Sequence, residues 1–124
     1  MIRLKNKTIL IPRGDTGVFS IMNKHIPQNE NLAILSVYDP LTNETVLEKV
    51  VSAAYESLTF FFEEQDTINL FPKKYLWDIK LYSSPYTKEG ETFWGSIDSY
   101  YSAYGLPSFI ITEVTNFGNS ARND

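Results

Sequence analysis

The stretch 66–82, Asp-Thr-Ile-Asn-Leu-Phe-Pro-Lys-Lys-Tyr-Leu-Trp-Asp-Ile-Lys-Leu-Tyr, constrains the fold more than any other part of the chain. From Tyr75 onward Tyr75, Trp77, Ile79 and Leu81 fall on one face and Lys74, Asp78 and Lys80 on the other. That two-residue period belongs to a strand with one face on a core. Leu76 alone interrupts the polar face. Ahead of the strand, Leu70, Pro72 and Tyr75 are spaced as in a tyrosine corner, where a Tyr near the start of a sandwich strand returns its hydroxyl to upstream backbone.

The rest of the chain is consistent with that corner. Strand patterns are expected at 7–11, 18–22, 32–39, 45–51, 57–63, 75–82 and 109–114, with Phe19, Ile21, Leu58, Phe60 and Phe62 facing a core and Phe61 facing away from it. The turn 12–17 holds a Pro and two glycines, 23–31 is a polar loop, and 39–44 has the composition of a hairpin connection. Residues 52–56 read as a bulge or loop, and 63–67 as a polar corner with room for one helical turn. The nearly continuous apolar run 32–39 fits a strand covered on both faces, or one with an interface on its outer face. Strands at this spacing without strong amphipathic helices predict an all-β fold, an immunoglobulin-like β-sandwich of about seven antiparallel strands over 1–115. Residues 116–124 read as a flexible polar tail.

One segment breaks the spacing. Residues 83–108 are longer than an ordinary connection and carry Tyr86, Phe93, Trp94, Tyr100, Tyr101 and Tyr104 among Ser, Thr, Gly and acids. This aromatic-rich insertion before the last strand is expected to begin a short helix near 96–101, capped by Ser96 or Ser99, and to pack on an open edge or end of the sandwich.

Composition narrows the function classes. A net charge of -4 over 124 residues, with scattered basic residues, argues against a nucleic-acid surface. The locally basic start, Arg3, Lys5 and Lys7, is explained by one strand with its charges toward solvent. With no Cys, disulfides and thiolate chemistry are impossible. The start of the chain has no secretory apolar core and no apolar run approaches the ~20 residues of a membrane span. A soluble product made in the cytoplasm, without a membrane partner, is therefore expected. Asn6-Lys7-Thr8 and Asn43-Glu44-Thr45 match the glycosylation pattern, and without an export signal they are read as chance.

A catalytic reading finds little to use. His25 is the sole His and is expected at the surface of a polar loop, so a Ser-His-acid relay has no base. Clusters of His or Cys for a metal are excluded by count, and Glu63, Glu64 and Asp66, or Asp78 with Asp98, lack the loop pattern of a calcium site. No cofactor motif is present, and no enzyme is expected. Arg13-Gly14-Asp15 spells an adhesion tripeptide, but a turn explains it equally: Gly14 for positive φ, Asp15 and Thr16 for local amide bonds. The candidate interface residues are Phe61, Tyr86, Trp94, Tyr100, Tyr101 and Tyr104, since flat rings with polar edges anchor protein interfaces and also stack on sugars. Interface and core roles are weighed above sugar binding.

Gly14-Asp15-Thr16 entering an early strand, Val37-Tyr38-Asp39 before a hairpin, and Asp66-Thr67 leading through Leu70 to Tyr75-Leu76-Trp77-Asp78-Ile79 together resemble the immunoglobulin-like N-terminal domain of phage baseplate upper proteins and related tail proteins of phages infecting Gram-positive bacteria. The resemblance spans nearly the whole chain in short motifs, and the 83–108 insertion departs from it. It implies a non-catalytic structural module of a phage or prophage virion, docking to other tail or baseplate subunits or to copies of itself. The rival expectation is a carbohydrate-binding module with a glycan stacked around Trp94.

Overall fold

The computed structural model describes residues 2–28, 30–83, 86–93, 95–101 and 105–113. The fold is all-β and has two layers. Its strands are β1 (Arg3–Lys5), β2 (Thr8–Pro12), β3 (Gly17–Met22), β4 (Leu32–Asp39), β5 (Glu44–Ser52), β6 (Ser57–Phe62), β7 (Lys74–Tyr82), β8 (Tyr86–Lys88), β9 (Glu91–Phe93), β10 (Ser96–Ser99) and β11 (Ser108–Thr112). A single helical turn, α1 (Glu64–Thr67), precedes β7. The larger sheet runs β1-β2-β11-β7-β4-β5, and β10 also pairs with β7. Strands β3 and β6 form a second, two-stranded layer, and β8 and β9 a small hairpin.

Alternation in the sequence places the core between the layers. Ala33, Leu35 and Val37 of β4 and Tyr75, Trp77, Ile79 and Leu81 of β7 are all buried, and Phe19, Leu58, Phe60 and Phe62 meet them from the smaller layer. Phe19 lies edge-on to Trp77 with ring centres 5.8 Å apart, and Phe62 lies 5.9 Å from Phe109 of β11. Such ring pairs add about 0.5–1.5 kcal/mol each beyond the area they bury. The Trp77 indole N–H donates to the Lys7 carbonyl at 2.9 Å, so this polar atom is satisfied inside the core.

The corner before β7 has the expected form. The Tyr75 hydroxyl donates to the Phe71 carbonyl at 2.7 Å. Residues 63–67 make the expected helical turn, where the Asp66 carboxylate accepts the Glu63 amide at 2.8 Å. Buried Thr67 accepts the Gly14 amide at 2.8 Å, which ties this corner to the β2–β3 turn.

Several expectations are corrected. The basic start is a hairpin, β1 with β2, rather than one strand, and the turn residues Asn6 and Lys7 both take positive φ, 51° and 71°. That is the geometry whose twist suits a two-residue hairpin loop. The sheet is not wholly antiparallel: β2 runs parallel to β11, with Ile9 beside Phe109 and Ile11 beside Ile111. The segment 96–99 is strand rather than helix, because Ser99 pairs with Lys80 and Ser96 with Tyr82 along the free part of β7. The insertion thus carries the β8–β9 hairpin and β10, and the strands outnumber the seven expected. Asp78 is fully buried rather than solvated. Its Oδ1 accepts the amides of Ile79 and Tyr101, both at 2.8 Å, and its Oδ2 accepts the Ser99 hydroxyl. The proposed tail at 116–124 lies outside the described residues.

Candidate functional site

The β3–β4 loop, the β5–β6 connection and residues 95–101 are joined by hydrogen bonds that the sequence does not advertise, and Lys7 of the β1–β2 turn lies beside them over the Tyr101 ring. Asn23 is the brace. Its side-chain amide donates to the carbonyls of Ala53 and Tyr55 at 3.2 and 3.0 Å, and its Oδ1 accepts the His25 amide at 3.0 Å. Backbone bonds from Gln28 to Ala53 and from Ala53 to Asn31 continue the tie, and Ser83 donates to Gly95. The Lys24 amide donates to the Tyr100 hydroxyl at 3.0 Å, which fastens the insertion to the β3–β4 loop. In this braced region Ile26, Tyr55 and Ile97 remain exposed, and His25, Ile26, Ser83 and Ile97 line a cleft of about 270 Å³.

The outer face of the two-stranded layer is the second exposed feature. Val18 stands directly across from Phe61, Ser20 from Thr59 and Met22 from Ser57. Ser20 and Thr59 share a hydroxyl–hydroxyl hydrogen bond of 2.8 Å. Val18 is 44% exposed, Phe61 65% and Met22 76%. Among the described strands β3 and β6 pair only with each other, so each also has an unpaired edge.

The sequence-predicted residues divide accordingly. Phe61 points to solvent as expected. Tyr100 and Tyr101 do not form an accessible platform: they are 2% and 8% exposed, with Tyr101 edge-on to Trp77 at 5.1 Å. They close the core because the insertion folds back over the end of the sandwich. Trp94 and Tyr104 lie outside the described residues, as does the side chain of Tyr86, whose backbone pairs with Phe93.

Elsewhere the polar chemistry is structural. Arg13 pairs with Glu113 at 2.7 Å, Gly14 has φ 78°, and Asp15 accepts the Thr16 amide at 2.9 Å, so the tripeptide is built into the β2–β3 turn. Asp66 pairs with Lys49 at 2.8 Å rather than gathering carboxylates for a cation, and His25 is half-buried. No cluster of three metal-ligating side chains occurs among the described residues. The Lys73 ammonium, bonded to Asp39 at 2.7 Å, holds that carboxyl below its usual range, with help from the Leu41 amide. Burial raises the Tyr75 and Tyr101 hydroxyls above the ordinary phenol value, and the charge of Asp78 adds to the rise at Tyr101. No helix of the described residues is long and apolar enough to cross a membrane.

Sequence reasoning anticipated the exposure of Phe61 but not the bracing by Asn23, the burial of Asp78 or the exposure of Val18. Only Val18 had a legible signal, as the outward partner of Phe19 on its strand. Comparisons with family models, with curated proteins and with solved structures gave no match for this chain.

Proposed function

We propose that this chain is a non-catalytic, immunoglobulin-like docking module of a phage or prophage tail or baseplate, which packs against neighbouring subunits, copies of itself included, through its two-stranded layer. The observation that carries this reading is the contrast between the edges of the two layers. The larger sheet ends in β1, three residues long with Arg3 and Lys5, and in β5, which carries Glu44, Glu48 and Lys49 and a register irregularity against β4. Charge, shortness and irregularity are the devices that keep an edge strand from pairing. Strands β3 and β6, Gly-Val-Phe-Ser-Ile-Met and Ser-Leu-Thr-Phe-Phe-Phe, hold no charged residue, and they present Val18 beside Phe61. An apolar, uncharged layer with open edges is suited to being covered.

The immunoglobulin-like part of the reading is supported by the tyrosine corner at Tyr75 and by the first strands splitting between layers, β2 joining β11 and β3 joining β6. Light scattering after size-exclusion chromatography, over micromolar to millimolar protein, tests the docking. Self-association that disappears in Val18→Ser/Phe61→Ser, with unfolding stability unchanged, is the expected result. A strict monomer whose Val18 and Phe61 amide signals are unaffected by concentration would overturn docking between copies of the chain.

A further inference from the structure

A cavity of about 510 Å³ opens between the β1–β2 turn, the start of the β3–β4 loop and residues 105–108. It lies apart from the outer face of the β3–β6 layer, and docking makes no use of it. Its floor is the buried pair Tyr100 and Tyr101. The Lys24 ammonium sits 4.4 Å from the Tyr100 ring centre and 5.3 Å from that of Tyr101, and the Lys7 ammonium 5.3 Å from the same Tyr101 ring. The two positive charges are therefore separated by no more than twice that last distance, within the span of one small ligand.

Lys7 is fixed at its backbone, and Lys24 at both its backbone and its ammonium group. Lys7 sits in the tight β1–β2 turn at φ 71°, and its carbonyl is fixed by the Trp77 indole. Lys24 is tied to Tyr100 twice, through its amide and through Nζ to the Tyr100 carbonyl at 3.2 Å. Yet in a chain with a net charge of -4, among the described residues no Asp or Glu lines the cavity and neither ammonium has a carboxylate within ion-pair distance. The nearby carboxylate of Asp78 is buried, and its oxygens accept bonds from Ile79, Tyr101 and Ser99. Ring faces account for part of the lysines' placement, since a cation over a tyrosine is itself favourable. They leave both ammonium groups facing one opening with no carboxylate of the described residues beside them, a local field that favours an entering anion.

The lining states the ligand class. An ammonium is a compact point charge with three donors, suited to the oxygens of a carboxylate or phosphate ester. Asn6, Thr8 and Ser108 add neutral hydrogen-bonding groups around it. The volume falls within the range of sites that enclose small organic ligands. We propose that this cavity binds a sugar-sized, polyhydroxylated ligand bearing one oxyanion, a carboxylate or a phosphate ester, between Lys7 and Lys24.

The test is a titration of the whole chain, followed by amide chemical shifts, with four probes: glucuronate, glucose 6-phosphate, glucose and inorganic phosphate. The two acidic sugars should saturate with a Kd of roughly 1–10 mM, as expected for a small, solvent-open site. Their shifts should centre on Lys7, Thr8, Lys24, Gly105 and Ser108. Glucose and inorganic phosphate should each bind at least tenfold more weakly. Lys7→Met/Lys24→Met should weaken the acidic sugars tenfold or more, Lys7→Arg/Lys24→Arg should retain them, and Lys74→Met should change nothing. The arginine pair separates lost charge from lost folding. Non-saturating shifts, glucose binding as well as glucuronate, inorganic phosphate binding as well as glucose 6-phosphate, or undiminished binding in the methionine pair would each overturn the proposal.

Discussion

Asp78 gives the sharpest test of how the insertion is fastened to the sandwich. One oxygen, Oδ1, accepts two amides, from Ile79 and Tyr101, while Oδ2 takes the Ser99 hydroxyl. The residue is fully buried, as is its neighbour Ile79, and Tyr101 is nearly so. Asp78→Ala deletes the acceptor and strands two amide donors away from water. A buried donor left without a partner costs about 1–3 kcal/mol, and bonds to a charged acceptor are the stronger kind. With both donors stranded the expected loss is about 3–4 kcal/mol, a large part of the ~5–15 kcal/mol that holds a domain folded. Asp78→Asn behaves differently. Its Oδ1 still accepts both amides, and the Ser99 hydroxyl can turn to accept from the new Nδ2, so the cost should be about 1 kcal/mol. Urea unfolding followed by far-UV circular dichroism measures both losses, and in a thermal melt the alanine variant should lose roughly 10–15 °C in Tm. An alanine variant within about 1 kcal/mol of the parent would refute the count of stranded donors. An asparagine variant as damaged as the alanine one would place the stabilisation in the charge rather than in acceptor geometry.

Two other perturbations follow from named contacts. Tyr75→Phe removes the hydroxyl bond to the Phe71 carbonyl while leaving the ring in the core, so urea unfolding should show a loss of about 1 kcal/mol with an unchanged m-value. The folded-state pKa of Asp39 is lowered, first by its hydrogen bond from Lys73. The stability this gives is present above the unfolded carboxyl pKa and is lost as pH falls through the folded value. Asp39→Asn should therefore unfold less steeply with acid than the parent across roughly pH 5 to pH 2, and parallel acid titrations of the two would contradict the assignment.

How much of this was legible in the sequence depends on how far each contact reaches. β7 and its corner could be read because alternation and the Tyr75 spacing are local, and Phe61 because an odd aromatic among core-facing Leu58, Phe60 and Phe62 must point outward. Asp78 could not. On an alternating strand a carboxylate between Trp77 and Ile79 reads as solvent-facing, and only the return of Ser99 and Tyr101, over twenty residues later, buries it. The same return turned 96–99 into strand: Ser96 and Ser99 have the chemistry of helix caps, but the unpaired stretch of β7 offered ladder partners that outweigh a weak local preference. The parallel pairing of β2 with β11 joins residues about a hundred positions apart, as Ile9 beside Phe109 shows, and no local pattern encodes it. Lys7 and Lys24 belong to separate loops, and neither is unusual until Tyr100 and Tyr101 bring them to one opening.

The imbalance between layers is the structural basis of the docking proposal. A six-strand run faced by only two strands leaves β5 with partly exposed apolar side chains, Val46, Leu47 and Val51, and the chain covers that region with an ion pair, Lys49 to Asp66, whose lysine also lies 5.9 Å from the Phe62 ring. A charged lid of this kind tolerates water and resists strand pairing, which is how an edge is kept closed to strangers. Among the described residues no charged pair lies over the outer face of β3 and β6, where the polar residues are Ser20, Ser57 and Thr59. Hydroxyl side chains of this kind bond each other or a partner backbone with little desolvation cost compared with a lysine or a glutamate. Under the proposed docking, Phe61 beside Val18 would form the apolar centre beneath a covering subunit, and the hydroxyls its hydrogen-bonded surround. Charge thus lies on both edges of the larger sheet and on neither strand of the smaller layer, the asymmetry on which the docking proposal rests.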